Sequence, residues 1–105
     1  MTKTQTSTRI LVADDSTAVL SVARRVLGDA GFDVATVDHG AHVVNMAATH
    51  RPGLILLDLA MPQINGFDVC RALGEHPLLA DVPIVVMSTR GDAVAERFVS
   101  ALEVT

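Results

Sequence analysis

The sequence predicts an α/β fold in which helices cover both faces of a parallel sheet. Residues 10–13, 54–57 and 84–87 form short apolar runs, as expected of strands that are buried on both faces. Each run is followed by apolar residues at helical spacing. Strands that alternate with helices in this way are typical of parallel sheets with right-handed crossover connections.

The first strand, residues 10–13, leads into a predicted helix with Ser16 as its N-cap and Gly31 as its stop signal. Residues 32–37 alternate apolar with polar side chains, which predicts a half-exposed strand at an edge of the sheet. The apolar face of the first helix is predicted to consist of Val19, Val22, Ala23, Val26, Leu27 and Ala30.

Three further helices are predicted along the rest of the chain. The second ends before Pro52, and the third and fourth follow the strands at 54–57 and 84–87. The strand at 84–87 is predicted to be fully buried. The apolar positions of the three helices are Val43, Val44, Ala47 and Ala48; Gly66, Val69, Cys70 and Leu73; and Ala95, Phe98, Val99 and Leu102.

Composition indicates a small soluble protein. The 105 residues suffice for one domain, which we expect at residues 9–105 after a polar tail at residues 1–8. The net charge of -4 and the scattered Lys and Arg residues disfavour a nucleic-acid-binding face, and no apolar run is long enough to span a membrane. The single cysteine, Cys70, excludes an internal disulfide, so we expect a reducing compartment, the cytoplasm.

Polar side chains follow three of the predicted strands at the point where each strand ends. Asp14 and Asp15 follow the first strand, Asp58 follows the run at 54–57, and Ser88 and Thr89 follow the run at 84–87. The carboxyl ends of parallel strands lie at one edge of the sheet, where α/β proteins bind ligands. If the three strands are neighbours, these side chains converge on one site.

Converged carboxylates repel each other unless a cation lies between them. An all-oxygen ligand set suits Mg²⁺, which keeps several waters and often bridges to a phosphate. A carboxylate beside Mg²⁺ can attack a phosphoryl group and form an aspartyl phosphate. Asp58 is the candidate nucleophile and Ser88 the candidate hydroxyl donor. Each motif alone also has a purely structural explanation, since Asp-Asp-Ser before a helix is a common N-cap sequence.

Three stretches together resemble a known family, the receiver domain of bacterial two-component response regulators, including the chemotaxis regulators. They are "ILVADDS" at 10–16, "LILLDLAMPQINGFDVCRAL" at 54–73 and "VPIVVMSTRGD" at 82–92. The resemblance covers residues 9–105. It implies a flavodoxin-like doubly wound sheet with the strand order 2-1-3-4.

The resemblance also implies a role for each site residue. Asp58 would accept a phosphoryl group from a histidine kinase, a phosphotransfer protein or a small donor. Asp15, Asp58 and the backbone carbonyl of Ala60 would bind Mg²⁺ directly, and Asp14 would act through a metal-bound water. Ser88 would be the switch hydroxyl that hydrogen-bonds the phosphoryl group. Ala60 and Arg90 would tune the lifetime of the phosphorylated state.

The sequence departs from the family at its carboxyl end. Receivers have a fifth strand that ends in a lysine and leads into a fifth helix, whereas the only lysine of this chain is Lys3. We therefore expect either a receiver truncated before its fifth strand and helix or a naturally shortened one. The fourth strand would then be an exposed apolar edge, through which we expect self-association.

Two functions remain open from the sequence. The first is a phosphorylation-dependent switch that controls an output domain or a downstream protein and is not an enzyme in its own right. The second is a receiver-like interaction module that works without phosphorylation, which the missing lysine favours. A phosphatase with an aspartate nucleophile is disfavoured, because such enzymes need a second acid where this chain has Ala60.

Overall fold

The computed structural model describes residues 8–62 and 64–87, so most of the predicted polar tail and the predicted fourth helix lie outside the described residues. No helix within these two ranges is long and apolar enough to cross a membrane. The elements in chain order are β1 (Arg9–Ala13), α1 (Thr17–Asp29), β2 (Asp33–Val37), a 3₁₀ turn (Gly40–His42), α2 (Val43–His50), β3 (Leu54–Asp58), α3 (Gly66–Glu75) and β4 (Ile84–Met87).

The four described strands form one parallel sheet in the order β2-β1-β3-β4. This order confirms the predicted α/β class and places β2 at an edge, as its alternating pattern predicted. It also makes β1, β3 and β4 consecutive neighbours. Their carboxyl ends therefore lie side by side, which is the condition that the predicted site required.

Helix ends follow the predicted capping signals. The Ser16 hydroxyl accepts a hydrogen bond from the Val19 amide at 3.2 Å, which caps the start of α1. Gly31 follows the end of α1 with φ +98°, a backbone conformation that favours glycine, and its amide bonds the Gly28 carbonyl at 3.0 Å. The Asn65 side chain caps α3 by accepting from the Phe67 amide at 2.8 Å.

The larger hydrophobic core lies between the sheet and helices α2 and α3. All four predicted apolar positions of α3 are buried there, together with the predicted Val43 and Ala47 of α2. The strands contribute the residues that point to this face, Leu11, Ala13, Val37, Ile55 and Leu57. Right-handed crossovers place α2 and α3 on the same face, because the connections from β2 to β3 and from β3 to β4 cross the sheet in the same direction.

The smaller core lies on the opposite face under α1, and here the predicted apolar face is partly wrong. The helix buries Leu20, which the prediction omitted, and packs Ala23 and Leu27 against Ile10 and Val12. The predicted core residues Val22 and Val26 are instead 50% and 55% exposed. Within residues 8–62 and 64–87, α1 is the one helix on this face, and a single helix contacts the sheet along one narrow line, so it covers only part of a broad apolar stripe.

The strand β4 is also more exposed than the sequence predicted. Its bounds match the predicted 84–87, but Val85 is 48% exposed and the other three residues are half-buried. β4 is the outermost strand of the described sheet, whereas α1 packs over β1 and β2, toward the opposite edge. Val22, Val26 and Leu56 accordingly border an open apolar groove of about 490 Å³.

Candidate functional site

Asp14 lies at the carboxyl end of β1, where the turn into α1 holds it in place. Its amide donates to the Val37 carbonyl of β2 at 3.1 Å. Its Oδ1 accepts a hydrogen bond from the Ser16 amide at 2.9 Å. The same Ser16 caps α1, so the Asp-Asp-Ser motif serves both the helix start and the site. The structural and functional readings of this motif are therefore compatible.

Asp58 is the last residue of β3 and pairs in register with Met87 of β4. Its Oδ1 accepts a hydrogen bond from the Ala60 amide at 2.9 Å. The Leu59 amide donates to the Met87 carbonyl at 3.3 Å, so the sheet pairing continues just past the acid. Asp58 is therefore fixed by the sheet on one side and by its own following turn on the other.

The three predicted carboxylates do converge. Asp14, Asp15 and Asp58 each place a carboxylate oxygen within 4.8 Å of the others. Asp14 is only 4% exposed and Asp58 5%, whereas Asp15 faces solvent. The site is thus a pair of buried acids with a third acid at its entrance.

Burial and mutual repulsion change the acidity of this cluster. Desolvation raises the pKa of the Asp14 carboxyl above its ordinary value, and the Ser16 amide opposes that shift by stabilising the carboxylate. The neighbouring Asp58, through its charge and a hydrogen bond, and the charge of Asp15 raise the pKa further. Without a cation, Asp14 is therefore harder to ionise than an ordinary aspartate.

This donor set fits a hard divalent cation. All three side chains offer oxygen, the ligand atom that Mg²⁺ and Ca²⁺ prefer, and a cation among them would relieve the repulsion that raises the pKa of Asp14. Mg²⁺ is commonly held by one or two carboxylates while it keeps several waters, which suits a site open at Asp15. The cluster can therefore hold a metal.

Three predicted site residues lie outside the described residues: Ser88, Thr89 and Arg90. Ala60 is described as an exposed turn residue, and its amide, which the sequence analysis did not consider, holds Asp58. The proposed role of its carbonyl stays a prediction. The Val37 carbonyl is a second contact that no sequence motif signals, because it depends on which strand lies beside β1.

Two glycines, Gly40 and Gly66, lie against residues of the segment that follows Asp58. Gly40 was not singled out in the sequence analysis. A Cβ at Gly66 would lie 2.9 Å from the Leu59 Cα and 3.2 Å from the Leu59 carbonyl oxygen. Gly40, in the 3₁₀ turn after β2, is covered by the Ile64 side chain. Gly66 was named in the sequence analysis only as a position on the apolar face of the third helix, whereas the Gly40 contact joins distant parts of the chain and has no local signal.

Comparison with known sequences identifies the family. The family model of the response regulator receiver domain matches residues 10–104. The chain is 41% identical over 91 residues to the response regulator MprA of Mycobacterium tuberculosis and 40% identical over 86 residues to the DNA-binding response regulator MtrA of Mycobacterium leprae. These matches cover 87% and 82% of this chain but only 38% and 37% of the relatives. The chain thus spans well under half the length of these curated relatives.

Solved structures agree with this assignment. The chemotaxis response regulator CheY4 of Vibrio cholerae matches with a TM-score of 0.80 and 26% identity, over 88% of this chain and 77% of that one. The BeF₃-activated receiver domain of Klebsiella pneumoniae RstA matches with a TM-score of 0.76 and 25% identity, over 86% and 74%. With its four parallel strands in the order 2-1-3-4 and its acids at their carboxyl ends, the chain belongs to the family of response regulator receiver domains.

Proposed function

We propose that this chain is a phosphorylation-dependent switch that accepts a phosphoryl group on Asp58. The observation that carries the proposal is the cluster itself, in which the buried Asp58 lies within 4.8 Å of two further carboxylates at the carboxyl edge of the sheet. A structural acid would be stabilised by a counter-charge, whereas Asp58 and Asp15 raise the pKa of Asp14. A pKa perturbed by burial and by neighbouring charges is typical of functional sites.

Mg²⁺ is the cation we propose, held by Asp15, Asp58 and the Ala60 carbonyl, with Asp14 acting through a metal-bound water. When bound, it would supply positive charge that neutralises phosphoryl oxygens and lets the anionic donor approach the acids. The protein's own residues would hold the two buried acids in place. The Ala60 amide and the β4 pairing hold the Asp58 carboxylate, and the Ser16 amide holds Asp14.

The proposed chemistry is a transfer to a carboxylate oxygen. An Asp58 oxygen attacks the phosphorus of a phosphohistidine, the bond between that oxygen and phosphorus forms, and the phosphorus–nitrogen bond breaks. The imidazole nitrogen leaves with the electron pair and is protonated from solvent. Ser88 is proposed as the hydroxyl that then bonds the phosphoryl group, with Ala60 and Arg90 affecting how long the group persists.

The proposed partners follow from this chemistry. The phosphoryl donor is a sensor histidine kinase or a phosphotransfer protein in the cytoplasm. The signal then passes to an output domain or a downstream protein. MtrA, one of the relatives, is described as DNA-binding and is much longer than this chain. We propose that any such activity belongs to an output partner and that this domain itself binds neither nucleic acid nor membrane.

Intact-mass spectrometry after incubation with acetyl phosphate and Mg²⁺ tests the proposal. We expect a labile gain of one phosphoryl group that is absent without Mg²⁺ and absent in the Asp58→Asn variant. Asp38→Asn is the matched control, because Asp38 is an exposed acid that follows β2 and lies outside the cluster. A gain that persists in Asp58→Asn would show that another residue is the acceptor.

The alternative is an interaction module that works without phosphorylation. No phosphoryl gain from acetyl phosphate or from a phosphohistidine protein, with Mg²⁺ binding intact, would support this alternative. We also propose that the domain is not an enzyme, so phosphate release should not exceed slow loss from its own acceptor.

Self-association through β4 is a further part of the proposal. Val85 of this strand is 48% exposed, and β4 is the outermost strand of the described sheet. An exposed apolar strand offers backbone groups and apolar area to another chain.

A further inference from the structure

We propose that Ile64 is a positioning residue that sets the geometry of the acidic cluster through its contact with Gly40. By packing on the Gly40 backbone, Ile64 fixes the segment that follows Asp58 and thereby the Ala60 amide that holds the acid. The inference deepens the proposed phosphoacceptor function and rests on it.

The contact joins two different connections. Gly40 is buried in the turn between β2 and α2, and Ile64 lies in the connection between β3 and α3. A Cβ built at Gly40 would overlap the Cγ1 and Cδ1 of Ile64 and would lie 3.3 Å from its Cβ. Ile64 therefore fills the space that any side chain at position 40 would need.

The conformation of Gly40 does not itself demand glycine. Among the described glycines only Gly31 has a positive φ, so alanine at position 40 would have an accessible backbone conformation. The first obstacle to a larger residue is Ile64, which supplies all three of the atoms nearest to that Cβ. The pair can thus be tested by substitutions that leave the turn geometry accessible.

The side chain of Ile64 is stiff, so a displacement of its Cγ1 also displaces the backbone of residue 64. Isoleucine is branched at Cβ and has a restricted χ1, so Cγ1 cannot swing aside without leaving its rotamer or moving the backbone. A Cβ added at Gly40 would therefore displace the backbone of residue 64. A longer unbranched side chain would relieve the same overlap by changing its rotamer.

The described residues on either side of Ile64 are held by contacts of their own. Met61 is 3% exposed and belongs to the larger core, against which Ile64 also packs. The preceding residue, Ala60, donates its amide to Asp58. At the other end, Gly66 lies directly against the Leu59 backbone. The proposal is that a displacement at residue 64 reaches Ala60, which lies between these held points.

The test measures Mg²⁺ affinity by isothermal titration calorimetry, at a temperature where circular dichroism shows each variant to be folded. The variants are Gly40→Ala, Ile64→Ala, their double variant and Ile64→Val. Gly74→Ala is the matched control, because a Cβ at Gly74 meets nothing within 4 Å. The rate of phosphoryl gain from acetyl phosphate is measured on the same samples.

We expect Gly40→Ala and Ile64→Ala each to weaken Mg²⁺ binding by about tenfold, the size of effect seen when groups that orient metal ligands are removed. Ile64→Val keeps both Cγ atoms and should stay close to the unmodified protein, as should Gly74→Ala. The double variant should lose no more than Ile64→Ala alone, because Ile64→Ala removes the atoms that a Cβ at position 40 would overlap.

A purely structural role would lower the unfolding temperature of these variants and leave the Mg²⁺ affinity of the folded protein unchanged. That result, or full multiplication of the two single losses in the double variant, would overturn the proposal. If Gly40→Ala does not fold, the comparison of Ile64→Ala with Ile64→Val decides, and equal affinities refute it. Failure of the unmodified protein to bind Mg²⁺ or gain a phosphoryl group would instead refute the proposed function.

Discussion

Replacing Asp14 with asparagine is expected to stabilise the metal-free protein, although it removes a residue of the site. Asp14 and Asp58 are both at least 95% buried and have carboxylate oxygens within 4.8 Å of each other. The asparagine side chain keeps an Oδ1 that can accept the hydrogen bond from the Ser16 amide. The substitution thus removes the charge and preserves the contact that orders the turn.

The magnitude follows from the upper limit on the separation of the two acids. Two unit charges no more than 4.8 Å apart repel by about 3.5 kcal/mol or more at an effective dielectric constant of about 20. The raised pKa of Asp14 reflects desolvation and this same repulsion, and the hydrogen bond from the Ser16 amide offsets part of both. We therefore expect a net gain of about 1 to 2 kcal/mol in the free energy of unfolding, equivalent to roughly 5 to 10 °C in a domain of this size.

The assay is thermal and urea unfolding in EDTA, followed by circular dichroism, on the unmodified protein, Asp14→Asn and Asp38→Asn. Asp38→Asn makes the same chemical change at an exposed position outside the cluster and should shift stability by less than about 0.5 kcal/mol. The reasoning is refuted if Asp14→Asn is less stable than the unmodified protein in EDTA, or if both variants shift stability equally.

Added Mg²⁺ should reduce the advantage of the variant. A ligand at a hundred times its Kd stabilises a protein by about 2.7 kcal/mol, and the unmodified protein should gain more of this than Asp14→Asn because it keeps all three acids. The difference in unfolding temperature between the two proteins should therefore shrink or reverse in Mg²⁺. An unchanged difference would mean that Asp14 takes no part in metal binding.

The pH dependence of the metal-free protein gives an independent check. Because the pKa of Asp14 is higher in the folded state than its ordinary value of 3.8, the folded protein binds this proton more tightly than the unfolded chain. The resulting stabilisation is complete below the unfolded pKa and is lost as pH rises through the folded pKa. The advantage of Asp14→Asn should accordingly be largest near neutral pH and shrink in acid.

Three further substitutions test the fold. Leu20→Ala should cost about 2 to 4 kcal/mol in urea unfolding, whereas Val26→Ala should cost less than about 0.5 kcal/mol, and equal losses would contradict the orientation of α1. Gly66→Ala forces a Cβ to within 2.9 Å of the Leu59 Cα and should cost about 1 to 3 kcal/mol; unchanged stability would show that the segment yields freely. Val85→Lys should reduce concentration-dependent association in light scattering, and equal association would exclude β4 as the contact.

Sequence patterns located the strands well because their signals are local. The run at 84–87 coincides with β4, and the runs at 10–13 and 54–57 differ from β1 and β3 by one residue at one end. The amount of burial was harder to predict. Val85 and Val26 have the composition of core residues, but whether they are covered depends on how many helices pack on each face.

The sequence by itself determined that acids follow apolar strands, that helices separate those strands, and that Ser16 can cap the first helix. These features depend on residue order and on local hydrogen bonding, so they can be read without knowledge of the fold. Only the tertiary structure decided that the acids of β1 and β3 lie within 4.8 Å, that burial raises the pKa of Asp14, and that Ile64 covers Gly40. Each of these depends on which strand and which connection lie next to each other, and that is set by packing over the whole domain.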